Sequence, residues 1–166
     1  WLADLAGQTT ANAVRIYNLR TRTGYTVPVM SGFTPYLGAF DEPGARFVFL
    51  ELGPPDDEQT AWALTVVEMA DGSMTRFPTT MRSDTELLPG FPIGWSGDRL
   101  LIDTFLPFTE VGSAGIWSIE LPPGASSTSV DTLDRRQIIS GDRYLWRPHL
   151  SPDGTRLLYV NRERGY

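Results

Sequence analysis

The stretch His149-Leu150-Ser151-Pro152-Asp153-Gly154-Thr155-Arg156-Leu157-Leu158-Tyr159-Val160 decides the fold class. Trp146 to Leu150 reads as an extended arm, Ser151 to Gly154 as a tight turn, and Arg156 to Val160 as a second strand. Each turn residue has a mechanism: Pro152 pre-sets φ for the first central position, Asp153 hydrogen-bonds its own backbone, and Gly154 accepts a positive φ. The flanking residues are aromatic and branched, the types that a pleated strand favours. Together they make one β-hairpin.

Two weaker copies lie upstream when the arginine after each turn is taken as the anchor. Ala39 to Leu50 (AFDEPGARFVFL) matches His149 to Val160 position for position, and Gly94 to Asp103 (GWSGDRLLID) matches with two residues fewer in the turn. The anchors Arg46, Arg99 and Arg156 fall 53 and 57 positions apart (99 − 46 and 156 − 99). A second periodic strand recurs at Arg15 to Leu19, Thr65 to Met69 and Ile116 to Leu121, and its last residues, Leu19, Met69 and Leu121, fall 50 and 52 apart (69 − 19 and 121 − 69). Two independent landmarks thus give one period. A period of this size, with four strand signals in each unit, predicts β-propeller blades in preference to a single sandwich.

Composition agrees. The 166 residues are 41% hydrophobic, enough for a core, and 16 glycines and 13 prolines punctuate short strands. No long apolar run has helical spacing, so almost no helix is expected. A formal charge of −6, with scattered arginines of which Arg135-Arg136 is the largest local pair outside the tail, argues against a phosphate-binding surface. Cysteine is absent, which removes disulfides, thiolate metal sites and a thiol nucleophile. No run approaches the roughly 18 to 20 apolar residues of a membrane span, and no signal peptide or initiator methionine stands at the start, as in a trimmed chain.

In chain order, residues 1–30 read as a partial blade that begins at its second strand, with Trp1 to Asp4 aligned on Leu100 to Asp103. Residues 35–78 read as a complete blade with strands at Pro35 to Phe40, Arg46 to Glu51, Ala61 to Met69 and Met74 to Pro78. Residues 91–133 form another, its outer strand at Ser127 to Leu133, and 144–166 open the next. The expectation is an all-β propeller segment of about three four-stranded blades, part of a six- to eight-bladed ring, or else a chain that pairs with a copy of itself to close one. Phe47, Phe49, Leu100, Ile102, Leu157 and Tyr159 should line one face of their sheets, and Val48, Leu50, Leu101 and Leu158 the other, with Trp95, Trp117, Trp146 and Leu150 in the core.

The string Pro148 to Tyr159 (PHLSPDGTRLLY) resembles the repeat of TolB-like, WD-related β-propellers, and Arg15 to Gly24 and Gly115 to Gly124 resemble that repeat's third strand. The turns at Asp41 to Gly44 and Trp95 to Asp98 depart from its Ser-Pro-Asp-Gly pattern. The resemblance implies a propeller and, by the habit of such relatives, a periplasmic or secreted location. It is poor for function, because propellers carry many unrelated activities.

Catalytic patterns are sparse. The one histidine, His149, reads as a hydrogen-bonded residue near the channel or between blades. No G-x-S-x-G elbow and no glycine-rich phosphate loop occur, and no cofactor is implied. The expectation is a non-catalytic binding or scaffolding module for a protein or peptide partner. Its candidate contacts are Asp56, Asp57 and Glu58 in one connection and Phe105, Phe108 and Glu110 in another, with residues 6–13 beside them. Asp56 to Glu58 offer oxygen ligands for a hard cation, but the sequence points to no further ligands for one. The alternatives are the gating propeller of a prolyl oligopeptidase-like serine peptidase, by resemblance, and a carbohydrate-active propeller.

Overall fold

A computed structural model of the chain describes residues 2–6, 13–41, 43–54, 60–81, 90–104, 115–121, 129–140 and 144–162. Among the described residues thirteen strands form four antiparallel sheets in chain order, none of them closed. The first sheet holds β1 (Leu2–Ala6), β2 (Ala13–Asn18) and β3 (Thr23–Pro28). The second holds β4 (Thr34–Phe40), β5 (Arg46–Leu52), β6 (Thr60–Glu68) and β7 (Met74–Met81). The third holds β8 (Gly90–Ser96), β9 (Arg99–Thr104), β10 (Gly115–Glu120) and β11 (Arg135–Ser140), and the fourth pairs β12 (Tyr144–Leu150) with β13 (Leu157–Arg162). Among the described residues there is no α-helix, only a 3₁₀ turn at Val130–Thr132.

The second sheet is buried on both faces, and its sequence shows why. In a strand successive side chains point to opposite sides, and β5 is apolar at nearly every step. Phe47 and Phe49 meet Val14, Ile16 and Val27 of the first sheet, while Val48 and Leu50 meet Trp95, Leu100 and Ile102 of the third. β6 repeats the division: Val67 belongs to the first contact, and Trp62, Leu64 and Val66 to the second. At roughly 1.5–3 kcal/mol for each large apolar side chain fully buried, these two interfaces are the main source of stability.

The hairpin at Asp41–Arg46 and the one at Ser151–Arg156 share a geometry that their sequences only half predict. Phe40 pairs with Phe47 and Ala39 with Val48, just as Leu150 pairs with Leu157 and His149 with Leu158. Gly44 and Gly154 both stand at φ 68°, and each donates its N–H to the carbonyl at the head of its turn, Asp41 or Ser151. The side-chain chemistry differs. In the later turn the Ser151 hydroxyl accepts from Arg156 N–H at 2.9 Å, whereas in the earlier one the Asp41 carboxylate accepts from both Ala45 and Arg46 N–H at 2.7 and 2.9 Å. A one-residue bulge precedes each hairpin, between Tyr36 and Ala39, Pro92 and Gly94, and Trp146 and His149.

Two sequence expectations shift. The outer strand of the third sheet is Arg135–Ser140, downstream of Ser127 to Leu133. Residues 130–133 are instead wound by Thr132 and Leu133 N–H bonds to Ser129 and Val130 carbonyls, which buries Val130 in the core. At the start of the chain the alignment is one residue out. The β2–β3 and β6–β7 turns have equal length, so Tyr17 corresponds to Val67; Leu2 faces Tyr17 as Phe47 faces Val67, and Leu2, not Trp1, holds the Phe47 position.

The first and second sheets are also joined by a buried charge. Glu51, fully buried at the end of β5, accepts from Arg76 Nε at 3.0 Å, Thr65 Oγ1 at 2.7 Å and Met30 N–H at 2.8 Å. Arg76 then donates through Nη2 to the Pro28 carbonyl at 2.6 Å. One ion pair thereby ties down the connection that leaves β3. Removing one member of a buried pair strands the other, so Glu51→Ala should cost about 3–5 kcal/mol in urea denaturation, and Glu51→Gln, which keeps an acceptor for Met30, distinctly less. A cost for Glu51→Ala no larger than that of a typical surface substitution would show that the pair does not hold the sheets together. A gain is expected at Arg22. It sits at φ 59° where the equivalent turn has Gly72 at φ 76°, each donating to the carbonyl four residues back. Relief of that left-handed strain by Arg22→Gly, less the added chain entropy, should stabilise by up to about 1 kcal/mol in the same measurement.

Candidate functional site

The second and third sheets lie side by side in the same sense, and two contacts fix this. At their hairpin ends the Arg46 guanidinium sits 4.1 Å over the Trp95 ring while its Nε bonds Asp41 at 3.2 Å. At the opposite ends Tyr36 of β4 and Phe91 of β8 meet edge to face, with centroids 5.3 Å apart and planes at 80°. The first end is consumed by structure, since Asp41, Arg46 and Trp95 are all engaged and at least partly buried. The second end is open: Tyr36 and Phe91 are each more than a third exposed.

This open end is the candidate site. It is the rim from which the connections β5–β6 and β9–β10 depart. Their bases are described: Gly53 N–H bonds the Ala61 carbonyl at 2.8 Å, and Thr104 Oγ1 bonds the Gly115 carbonyl at 3.0 Å. The sequence candidates Asp56, Asp57, Glu58, Phe105, Phe108 and Glu110 lie outside the described residues, as does the 7–12 segment.

Asp103 on β9 faces Phe91 across the β8–β9 pair and Ile116 across the β9–β10 pair. It is half-buried among these strands, and loss of hydration pushes its carboxyl up to about 6. The other shifted carboxylates serve turns. Asp153 is held below the usual range by the hydroxyl of Ser151 and then by Thr155, and Asp71 by Ser73. His149 is exposed on β12, on the face away from the third sheet. Among the described residues no three His, Cys, Asp or Glu side chains gather as a metal site, and no helix is long and apolar enough to cross a membrane. What the rim offers is aromatic surface with a carboxylate beside it, suited to apolar and stacking contact.

No family model, no curated protein and no solved structure matches the chain.

The sequence opens a blade at Phe91 and sets Tyr36 in the strand Pro35 to Phe40, but neither assignment singles the two out as a pair. A signal was present. Tyr36, Phe91 and Trp146 stand 55 positions apart (91 − 36 and 146 − 91), each just ahead of the bulge in the first strand of its sheet.

Asp103 gives this region a pH signature. Its folded-state carboxyl is raised, so the folded protein holds the proton more tightly, and stability falls as pH rises from about 4 through about 6. Asp103→Asn should remove that slope. At pH 7 the variant should be more stable by about 1–2 kcal/mol, allowing for the water that still reaches a half-buried carboxylate, and the gain should vanish near pH 4. Denaturation midpoints of both proteins at the two pH values measure it.

Proposed function

We propose that this chain is a run of β-propeller blades serving as a non-catalytic binding module for a protein or peptide partner. The propeller part is supported by the order of the sheets. The three larger sheets are meanders and the fourth is a hairpin, each packs on the next, and neighbouring sheets meet through their first strands, β4 against β8 and β8 against β12. The recurrent bulge ahead of each first hairpin supports it further.

The binding part rests on one observation, the Tyr36–Phe91 pair. Two large rings exposed together at the mouth of adjacent first strands cost solvation that a folded protein normally avoids. Aromatic side chains are also the residues most often dominant in protein–peptide contacts. Asp56, Asp57, Glu58, Phe105, Phe108 and Glu110, on the connections based at the same rim, would extend the surface with acidic and aromatic groups.

A phage-displayed library of random peptides panned on the protein tests this. Enriched peptides should lose about tenfold or more in affinity by calorimetry for Tyr36→Ala and for Phe91→Ala, the size of an ordinary aromatic anchor. Peptides that bind the double variant unchanged would remove the rim from the partner surface.

A further inference from the structure

The charge of the chain is concentrated at the open rim. Strands β1, β3, β5, β7, β9 and β11 all end on that side, so the connections 7–12, 29–33, 53–59, 82–89, 105–114 and 141–143 all depart from it. Together these connections carry seven Asp or Glu against two Arg, a net of −5 out of the −6 of the whole chain. Such a concentration of one sign draws ligands of the other.

Beside the aromatic pair of this rim stands a carboxylate with no structural task. Asp103 faces Phe91 as Leu50 faces Tyr36, so Asp103 occupies the place that a fully buried leucine fills in the second sheet. A leucine there would lose no hydration, whereas a carboxylate does. The two buried carboxylates around the second sheet are each tied to an arginine, Glu51 to Arg76 and Asp41 to Arg46. Asp103 is only partly buried, and among the described residues no donor pairs with it. With its carboxyl at about 6 it is mostly ionised at pH 7. Directly opposed residues on neighbouring strands stand about 4.5–5.5 Å apart at Cβ, so Tyr36, Phe91 and Asp103 follow one another in a row along the rim.

We propose that the peptide recognised at this rim is basic, and that one of its lysine or arginine side chains lays its stem along Tyr36 and Phe91 and sets its cation beside Asp103. The inference rests on the rim being the peptide site and adds the chemistry of the occupant. Aromatic faces attract a cation, and the unpaired carboxylate gains a charge-assisted hydrogen bond in place of the water it has lost. A neutral apolar peptide would gain the ring contacts but strip Asp103 of more water without return. An acidic one would also meet the negative charge of the surrounding connections, so the same groups that favour a basic occupant reject the others.

Peptides enriched from the phage library by the unaltered protein, and lost with Tyr36→Ala or Phe91→Ala, should carry a clear excess of Lys and Arg over Asp and Glu. For a synthetic peptide from that set, Asp103→Asn should weaken binding about fivefold by calorimetry at pH 7, the size of an ion pair that water still reaches. The same peptide with norleucine in place of its cation should bind Asp103→Asn and the parent equally. Asp103→Asn should keep the far-ultraviolet dichroism of the parent, so the comparison is between folded proteins. Ring-dependent peptides without a basic excess, no loss with Asp103→Asn, or a loss that persists in the norleucine peptide would each overturn the basic occupant and leave the rim as the peptide site. Peptides indifferent to both rings would overturn the rim and this inference with it.

Discussion

The alternation of side chains along a strand is the constraint on which this structure depends. A sheet with water on one side needs apolar residues only at every second position, but a sheet wedged between two others needs them at all positions. β5 meets that demand with Phe47, Val48, Phe49 and Leu50 in succession, and β6 with Trp62 to Val67, where Thr65 is the single polar residue. Thr65 is admitted because its hydroxyl donates to Glu51. The carboxylate and hydroxyl that enter this layer, Glu51 and Thr65, satisfy one another, while the Trp62 indole N–H in the same layer is buried without a hydrogen-bond partner among the described residues.

Contacts at the margins of that layer set the sheets at fixed positions along each other. Apolar faces alone would tolerate sliding, since dispersion and hydration are not directional. The directional contacts stand at the margins. Tyr25 reaches from β3 to the Met69 carbonyl at 3.3 Å, Arg46 stacks on Trp95, and Gly154 is pressed so close to the third sheet that a Cβ there would lie 2.6 Å from the Trp95 carbonyl oxygen. Gly154 is therefore required twice, by its positive φ and by its neighbour.

Local features were the most legible in the sequence. The Ser151 to Gly154 turn, the hairpin at Asp41 to Arg46 and the absence of α-helix among the described residues follow from residue chemistry acting over a few positions. The Asp41 turn departs in sequence from the Ser151 turn, yet it has the same backbone, because one carboxylate can accept the N–H bonds that a serine and an aspartate share in the other. Features that depend on distant partners were not legible. Glu51 ends an apolar run and reads as the point where a strand returns to water; its partner Arg76 lies 25 residues on. A short apolar run at the start of the chain fits two registers one residue apart, and only the pairing of Leu2 with Tyr17 decides between them. Ser127 to Leu133 and Arg135 to Ser140 both suit the outer edge of the third sheet by sequence, and the burial of Val130 selects the later one. Of the rim, Tyr36 and Phe91 were legible only as strand residues, since their meeting is a fact of two sheets.

The Glu51–Arg76 pair sets a condition on the closing of the first interface, because its two members are synthesised at different times. At roughly 5–20 residues per second, a ribosome delivers Arg76 about 1–5 s after Glu51. During that interval the first sheet and β5 are already made, but the carboxylate destined for the interior has no cation. Until β7 is available, closing the first interface would bury that carboxylate without its cation, which costs several kcal/mol.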